Sequence, residues 1–392
     1  MKVKSSRRTF LAAGLAFPAA VMASTSRSPF AVQEKPKPTA PETQGGLAHR
    51  VLGRTGLKVT SVGFGCMITS DQSVIEKAAD LGITYFDTAR SYQGGNNERM
   101  VGAALKSKRK NLVLSSKTGA ATKQDALNHL ETSLKELGTD YLDIWYLHGK
   151  SRTAQLTDEL IEAQQMAKKD GKVRFVGIST HGGQAEVIPA LIARKDHFDV
   201  VLTAYNFTLD PGFYTLLESA AKEGLGVVAM KVMAGGFRRV KPGDKVYDTL
   251  KREGAMLSAL KWVLKNPNVH TTVPSITDMD QLDENMRAMT SPFTDADQKT
   301  LMAQLEHVRP LYCRMCGRCE GTCPQGLPVS DMLRFLSYAD GYGEFRLGRE
   351  SFLELPQRVR DVRCNLCPTC AVTCPNGVRV AERLSRAQEV FA

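Results

Sequence analysis

Between His49 and about Phe293 the sequence alternates short apolar runs with longer stretches whose apolar residues recur every three or four positions. The short runs are rich in β-branched and aromatic residues, as in Tyr141-Leu142-Asp143-Ile144-Trp145-Tyr146-Leu147 and Leu225-Gly226-Val227-Val228-Ala229-Met230. Strands that are apolar on both sides belong to parallel sheets covered by helices. Eight such runs end near Cys66, Asp87, Lys117, His148, Ser179, Asn206, Lys231 and Ser275. Between them lie helical patterns. In the stretch 122–137, Ala126, Leu127, Leu130, Leu134 and Leu137 share one face, and Gly138 supplies a stop. Similar segments fall at 71–82, 96–107, 156–170, 182–195, 211–224, 253–266 and 278–289. Eight strands alternating with eight helices predict an α/β protein, a (β/α)8 TIM barrel over 49–295. The rival is an open doubly wound sheet. No G-x-G-x-x-G turn opens a first helix, and Gly63-Phe64-Gly65 is not that motif.

In such a barrel the chemistry sits at the C-terminal ends of the strands. Asp87 ends Tyr85-Phe86-Asp87, and Tyr92 follows in the next loop. Lys117 ends the strand Leu112–Lys117, and His148 ends Trp145-Tyr146-Leu147-His148. Taken singly, Lys117 reads as a surface residue and His148 as a core histidine. Four polar residues at equivalent rim positions make a candidate catalytic set.

Composition is that of an ordinary globular chain, 42% hydrophobic and 24% charged in 392 residues. The net charge of +11 is partly local. Lys2, Lys4, Arg7, Arg8 and Arg27 lie in the first 31 residues, and without them the charge is +6. The remaining basic residues are dispersed, so no nucleic-acid stripe is expected. Residues 1–31 read as a signal peptide: a basic start, an apolar stretch to Ala23, and cleavage after Ala23 or Ala31. Arg7-Arg8 followed by Phe10-Leu11 resembles a twin-arginine export signal. The expected location is the periplasm or another exported compartment, with the twin-arginine machinery as a partner and no membrane span after cleavage. Residues 32–48, with Lys35-Pro36-Lys37-Pro38, are expected to be a loose linker.

Of nine cysteines, Cys66 stands alone at the end of the first strand and reads as a small buried residue. The other eight repeat one pattern: Cys313, Cys316, Cys319 and Cys323-Pro324, then Cys364, Cys367, Cys370 and Cys374-Pro375. This is the bacterial ferredoxin run, whose fourth cysteine ligates the other cluster. Zinc would ask for two pairs of cysteines per site instead. Two [4Fe-4S] clusters are therefore expected in a C-terminal, ferredoxin-like domain, 296–392. Cys313, Cys316, Cys319 and Cys374 would hold one; Cys364, Cys367, Cys370 and Cys323 the other. The 40 residues between the runs include a helical piece around Ser330–Leu336, expected to pack against the barrel.

Three stretches then carry a closer likeness: Arg50–Val59, Phe86-Asp87-Thr88-Ala89 with Tyr92, and Leu134–Asp143. Across nearly all of 49–293 the chain resembles the aldo/keto reductases. The resemblance implies that Asp87, Tyr92, Lys117 and His148 are the family's tetrad, with Tyr92 as acid/base. A phenol titrates too high to exchange protons readily near neutrality, and the Lys117 cation is expected to lower it. His148 would orient the carbonyl. The resemblance also implies NAD(H) or NADP(H) across the barrel mouth. Ser179 matches the first member of a Ser-Asn pair and Thr180 departs from the second. Leu202 stands where a Gln is usual, with Asn206 close by, and Met230 replaces a stacking aromatic. Glu284 and Asn285 match adenine contacts. Ser275 and Gln281 lack the basic side chains that hold a 2′-phosphate, which points to NAD(H), while Lys231 and Arg238-Arg239 leave phosphate binding open.

The leading expectation is an exported oxidoreductase that interconverts a small carbonyl and its alcohol. The clusters would relay electrons to a carrier protein or a quinone-linked acceptor. Two alternatives stand beside it: a carbonyl reductase with structural clusters, and a non-catalytic electron-transfer or binding protein on a degenerate barrel.

Overall fold

The structure, a computed structural model, describes residues 42–44, 46–236 and 254–392, with the backbone alone at 42–44 and 366. The expected signal peptide, most of the expected linker and Arg238-Arg239 lie outside the described residues. All described residues belong to one compact unit.

Eight parallel strands run in sequence order: β4 (Phe64–Gly65), β5 (Tyr85–Asp87), β6 (Val113–Thr118), β7 (Leu142–Leu147), β8 (Val173–Thr180), β9 (Val200–Ala204), β10 (Gly226–Met230) and β11 (Thr271–Thr272). Parallel bridges Val62–Thr272 and Gly65–Ser275 bring the last strand back to the first, so the sheet is a nearly closed barrel. Helices α1 (Gln72–Asp80), α2 (Asn96–Leu105), α3 (Lys123–Leu137), α4 (Asp158–Lys169), α5 (Gln184–Ala193), α6 (Gly212–Lys222), α7 (Ala255–Leu264) and α8 (Met279–Thr290) form the outer ring. Each element follows the pattern that predicted it. In α3, the Thr122 side chain accepts from the Asp125 amide at the N-cap, Ala126, Leu130, Leu134 and Leu137 are buried, and Gly138 ends the helix at φ 63°.

The expected linker ends earlier than residue 48. Strands β1 (Glu42–Gln44), β2 (Leu47–Val51) and β3 (Lys58–Thr60) form an antiparallel meander. From it Leu52, Leu57 and Val59 pack with the barrel-interior residues Tyr85, Ile144, Tyr146, Leu202 and Val228. The meander therefore plugs the N-terminal end of the barrel and leaves the C-terminal end for chemistry. Gly53 (φ 52°) permits this, because a Cβ there would run into the Gly226 backbone.

Helix α9 (Asp295–Val308) packs on α7, where Asp297 meets Lys261 at 2.6 Å and Ser258 at 2.7 Å. Beyond it, α10 (Val329–Asp340), α11 (Phe345–Leu353), α12 (Gln357–Arg360) and α13 (Val380–Phe391) gather round a second apolar core of Met332, Leu336, Phe352, Leu384 and Phe391. Asp340 joins the first and last of these through Arg383 at 2.7 Å and Arg386 at 2.8 Å. Among the described residues 309–392 there is no strand, so the C-terminal unit is helical where a ferredoxin-like arrangement was expected. Both cysteine runs lie in the loops that lead into α10 and α13. The spacer between them has helical periodicity, and its helices build the core.

The C-terminal unit docks on the barrel mouth. Tyr312 receives a bond from Asn206 at 3.3 Å, and Arg314 and Arg318 approach Asp210 at 3.6 and 3.8 Å. Gly341 lies so close to the Gly235 carbonyl that a side chain there would clash. Helix α10 thus lies against the rim, as its sequence led us to expect. No helix among the described residues is long and apolar enough to cross a membrane.

Candidate active site

Lys117 is 1% exposed and Asp87 4% exposed, at the ends of adjacent strands β6 and β5. The register pairs Asp87 with Ser115, two residues before Lys117, so the ammonium reaches the carboxylate. Lys117 Nζ donates to Asp87 Oδ2 at 2.6 Å, to the Thr88 carbonyl at 2.7 Å and to the Tyr92 hydroxyl at 3.2 Å. All three ammonium hydrogens are thereby used, and the geometry is fixed. Ser115 Oγ donates to the other Asp87 oxygen at 2.7 Å. The His148 ring meets the Tyr92 ring edge-on, centroids 5.9 Å apart at 78°. The four rim residues picked out from the sequence therefore converge.

The electrostatics differ from expectation at Tyr92. Burial raises its phenol and outweighs the opposing pull of Lys117, leaving it at about 12. Lys117 itself is raised, because Asp87 and Tyr92 overcome its own burial. Tyr92 is thus held as a phenol, ready to give a proton. Burial, with Lys117, Arg334, Lys150 and Lys231 adding to it, holds His148 down at about 3. A neutral imidazole can donate a hydrogen bond to a carbonyl oxygen without carrying charge into the site.

Of these four, Asp87 and Tyr92 open on a cavity of about 150 Å3 whose lining also includes His181, Met230, Lys231 and Gln281. Part of its wall comes from the C-terminal unit, through Gly341 and Tyr342. Beside that wall, Lys231 Nζ lies 4.5 Å from the Tyr338 ring centroid and 5.1 Å from that of Tyr342. Arg334 donates to the Tyr338 hydroxyl at 3.1 Å. The sequence reading missed His181, Arg334, Tyr338 and Tyr342. His181 carried a signal, since it follows Ser179-Thr180 at a strand end. Arg334 and Tyr338 stand on a helix remote in sequence and Tyr342 lies just past its end, and nothing local marks them.

The residues expected to meet a nucleotide divide into two groups. On one side, Ser179 Oγ accepts from the Gly149 amide at 2.9 Å and Thr180 Oγ1 donates to the Gly182 carbonyl at 2.6 Å, both fully buried. Asn206 donates to the Lys231 carbonyl at 2.9 Å and accepts from Thr208 Oγ1 at 2.7 Å. Leu202 points into the barrel core. These groups already bond inside the protein, and Asn206 anchors the Lys231 carbonyl. On the other side, Met230, Ser275 and Gln281 line the cavity. Glu284 accepts from the Leu257 amide at 3.3 Å. Asn285 is 1% exposed, and its Oδ1 has no partner among the described residues. That orphaned acceptor and the open Met230–Gln281 wall fit a nucleotide.

None of the nine cysteines is paired in a disulfide. Burial raises the Cys313 thiol to about 12, and Cys319, Cys316 and Cys374 act on it. Burial likewise raises Cys364, on which Cys370, Cys323 and Cys367 act. Cys374 thus lies within electrostatic reach of Cys313, and Cys323 within reach of Cys364. Among the described residues, no three His, Cys, Asp or Glu side chains converge tightly enough to hold a single metal ion. Thiolates bound to different corners of a cubane stand farther apart than ligands of one ion.

A nearly closed parallel barrel with an Asp–Lys–Tyr–His constellation at its C-terminal rim defines a class: the oxidoreductase barrels. Residues 69–306 match the aldo/keto reductase family, and the chain belongs to it. The match ends before both cysteine runs. Among its relatives, an uncharacterized oxidoreductase, YqkF, of Bacillus subtilis is 27% identical over 284 residues, 62% of this chain and 91% of that protein. The L-galactose dehydrogenase of Arabidopsis thaliana is 28% identical over 306 residues, covering 67% of this chain and 95% of the relative. The holo structure of aldo-keto reductase AKR11C1 from Bacillus halodurans is similar, with a TM-score of 0.56 at 28% identity over 65% of this chain and 95% of the other.

Proposed function

We propose that this protein interconverts a small carbonyl compound and its alcohol, with Tyr92 exchanging the proton at oxygen. One observation carries the reading: the Tyr92 hydroxyl sits on the Lys117 ammonium, which Asp87 holds at 2.6 Å, with His148 edge-on to the same ring. Tyr92 stays protonated up to about pH 12, so it is set to act as the acid in reduction. His148, neutral, orients the carbonyl oxygen. A bound nicotinamide would supply or take the hydride. Met230, Ser275, Gln281, Glu284 and Asn285 are the residues available to hold the nucleotide. The missing basic side chains at Ser275 and Gln281 favour NAD(H) over NADP(H).

We further propose that the eight C-terminal cysteines hold two [4Fe-4S] clusters, whose chemistry is single-electron transfer. The regular spacing of two complete runs and the crossed grouping around Cys313 and Cys364 support this. The Cys313 run adjoins the rim through Tyr312 and Met315, so that half would be proximal and the Cys364 half distal. Such an order suits a relay from the barrel to a carrier protein or a quinone-linked acceptor. Arg7-Arg8 and the apolar stretch after them support twin-arginine export to the periplasm, a route for folded proteins that carry their cofactors with them.

The test uses anaerobically purified full-length protein. Iron and acid-labile sulfide are assayed, nucleotide oxidation is followed against a panel of carbonyl compounds, and the paramagnetic signal of the clusters is recorded after adding an alcohol. Turnover with a new cluster signal is expected. Turnover with clusters that only a low-potential reductant reduces would leave them structural, and no turnover on any carbonyl would remove the enzymatic reading.

A further inference from the structure

Buried charge at the barrel mouth does not balance. Asp87 answers Lys117 at 2.6 Å, and Asp331 answers Arg334 at 2.9 Å. Among the described residues Lys231 has no carboxylate beside it, and its Nζ has the Tyr338 hydroxyl as a polar neighbour only beyond direct hydrogen-bond distance. Two aromatic rings, Tyr338 and Tyr342, face it instead. Among the described residues His181 Nδ1 is likewise buried without a hydrogen-bond partner. Both side chains line the cavity that contains Tyr92.

The backbone also marks this position. Lys231 has φ 57°, a left-handed conformation uncommon for a residue with a side chain, and the Asn206 amide holds its carbonyl at 2.9 Å. Burying an ammonium without a counter-charge is strongly unfavourable, and desolvation lowers the Lys231 pKa accordingly. Tyr338 does not supply the missing anion at neutral pH. Burial raises its phenol, Lys231 and Arg334 more than reverse this, and the result is about 8, so it stays mostly protonated at pH 7. Among the described residues no anion answers Lys231, so one that binds there would come from outside them.

We propose that Lys231 and His181 form a carboxylate-binding subsite roofed by Tyr338 and Tyr342 of the C-terminal unit, and that the substrate is a small hydroxy acid or oxo acid. This rests on the reading of Tyr92 as the acid/base and adds the substrate class. The cavity that Lys231 and His181 line is about 150 Å3 in all and shares its Met230–Gln281 wall with the nucleotide, so the substrate is small. The C-terminal unit then shapes the substrate site as well as carrying the cysteines. A nucleotide phosphate has the same anionic chemistry, so the experiment separates the two.

Benzoate and its uncharged isostere benzamide are titrated calorimetrically into the anaerobically purified full-length protein. Benzoate binds, and benzamide binds about tenfold more weakly or worse, because a charge-assisted bond is lost. Lys231→Met weakens benzoate by about tenfold or more, while Lys231→Arg retains most of the affinity. Tyr92→Phe keeps benzoate binding whatever happens to its turnover, which separates failure of the subsite from failure of the acid–base assignment. Thermal denaturation checks the fold: removing an unpaired buried charge leaves the Tm of Lys231→Met equal or higher. Four results overturn the proposal: no benzoate binding by the wild type; unchanged benzoate affinity in Lys231→Met; lost nucleotide affinity in that variant with benzoate binding kept; or a fall in its Tm, which would make Lys231 a support for the docked helix.

Discussion

Lys117→Met perturbs the site at its most connected atom. The substitution removes three bonds at once, to Asp87 at 2.6 Å, the Thr88 carbonyl at 2.7 Å and Tyr92 at 3.2 Å. Asp87 keeps Ser115 but becomes a buried carboxylate without its cation. Breaking a buried pair from one side costs about 3–5 kcal/mol. Tyr92 loses the charge that opposes its burial, so its pKa rises further. Proton exchange at the substrate oxygen weakens in both directions, and kcat falls by about 100- to 10,000-fold, the span of general acid–base catalysis. The assay is a double-mutant cycle of Lys117→Met, Asp87→Asn and the pair, with Tm and kcat measured for each. In the double variant the charge imbalance is gone, so its stability lies well above the sum of the single losses. Additive stability losses, or a Lys117→Met kcat within a few-fold of wild type, would refute the reasoning.

Three further outcomes are expected. A phenolate absorbance titration of wild type minus Tyr338→Phe inflects near pH 8, well below the ordinary value of 10.0. A depressed folded pKa stabilises the deprotonated form, so wild type gains stability over Tyr338→Phe as pH rises from about 8 to 10 and loses it again as pH falls through about 8; equal pH profiles would contradict this. NAD(H) binds more tightly than NADP(H) in direct titration, and the reverse order would point to Lys231 or to Arg238-Arg239. Lys in place of Arg7 and Arg8 leaves the protein in the cytoplasm, as followed by cell fractionation, and normal export of that variant removes the twin-arginine reading.

The barrel was legible because both of its periodicities are strong. Strands buried on both faces, such as Leu142–Leu147, cannot be mistaken for amphipathic helices, and α3 carries its own cap and stop. The tetrad was legible because a barrel restricts chemistry to strand ends, which turns four scattered polar residues into neighbours. What the sequence could not convey was competition for partners. Ser179, Thr180 and Asn206 match or adjoin nucleotide-contact positions, yet their polar atoms are taken up by Gly149, Gly182, Lys231 and Thr208. Tyr92 was expected to be lowered by Lys117, and the depth of burial that reverses the sign appears only in three dimensions. Tyr338 and Arg334 are a turn apart on an amphipathic helix and read as surface and core until α10 is seen against the rim. The helical character of 309–392 was hidden behind the cysteine spacing, which fixes ligands and says little about the scaffold that carries them.

In the proposed reaction Tyr92 moves the proton while hydride moves at carbon. Full-length wild type and Tyr92→Phe are mixed with nicotinamide nucleotide deuterated at the transferring position and an accepted carbonyl substrate, and deuterium on the product carbinol carbon is followed by mass spectrometry in a single turnover. Wild type is expected to incorporate one deuterium. Tyr92→Phe should bind nucleotide with unchanged affinity and transfer deuterium about 100- to 10,000-fold more slowly. Transfer at the wild-type rate in Tyr92→Phe, or product from wild type without the label, would contradict the account.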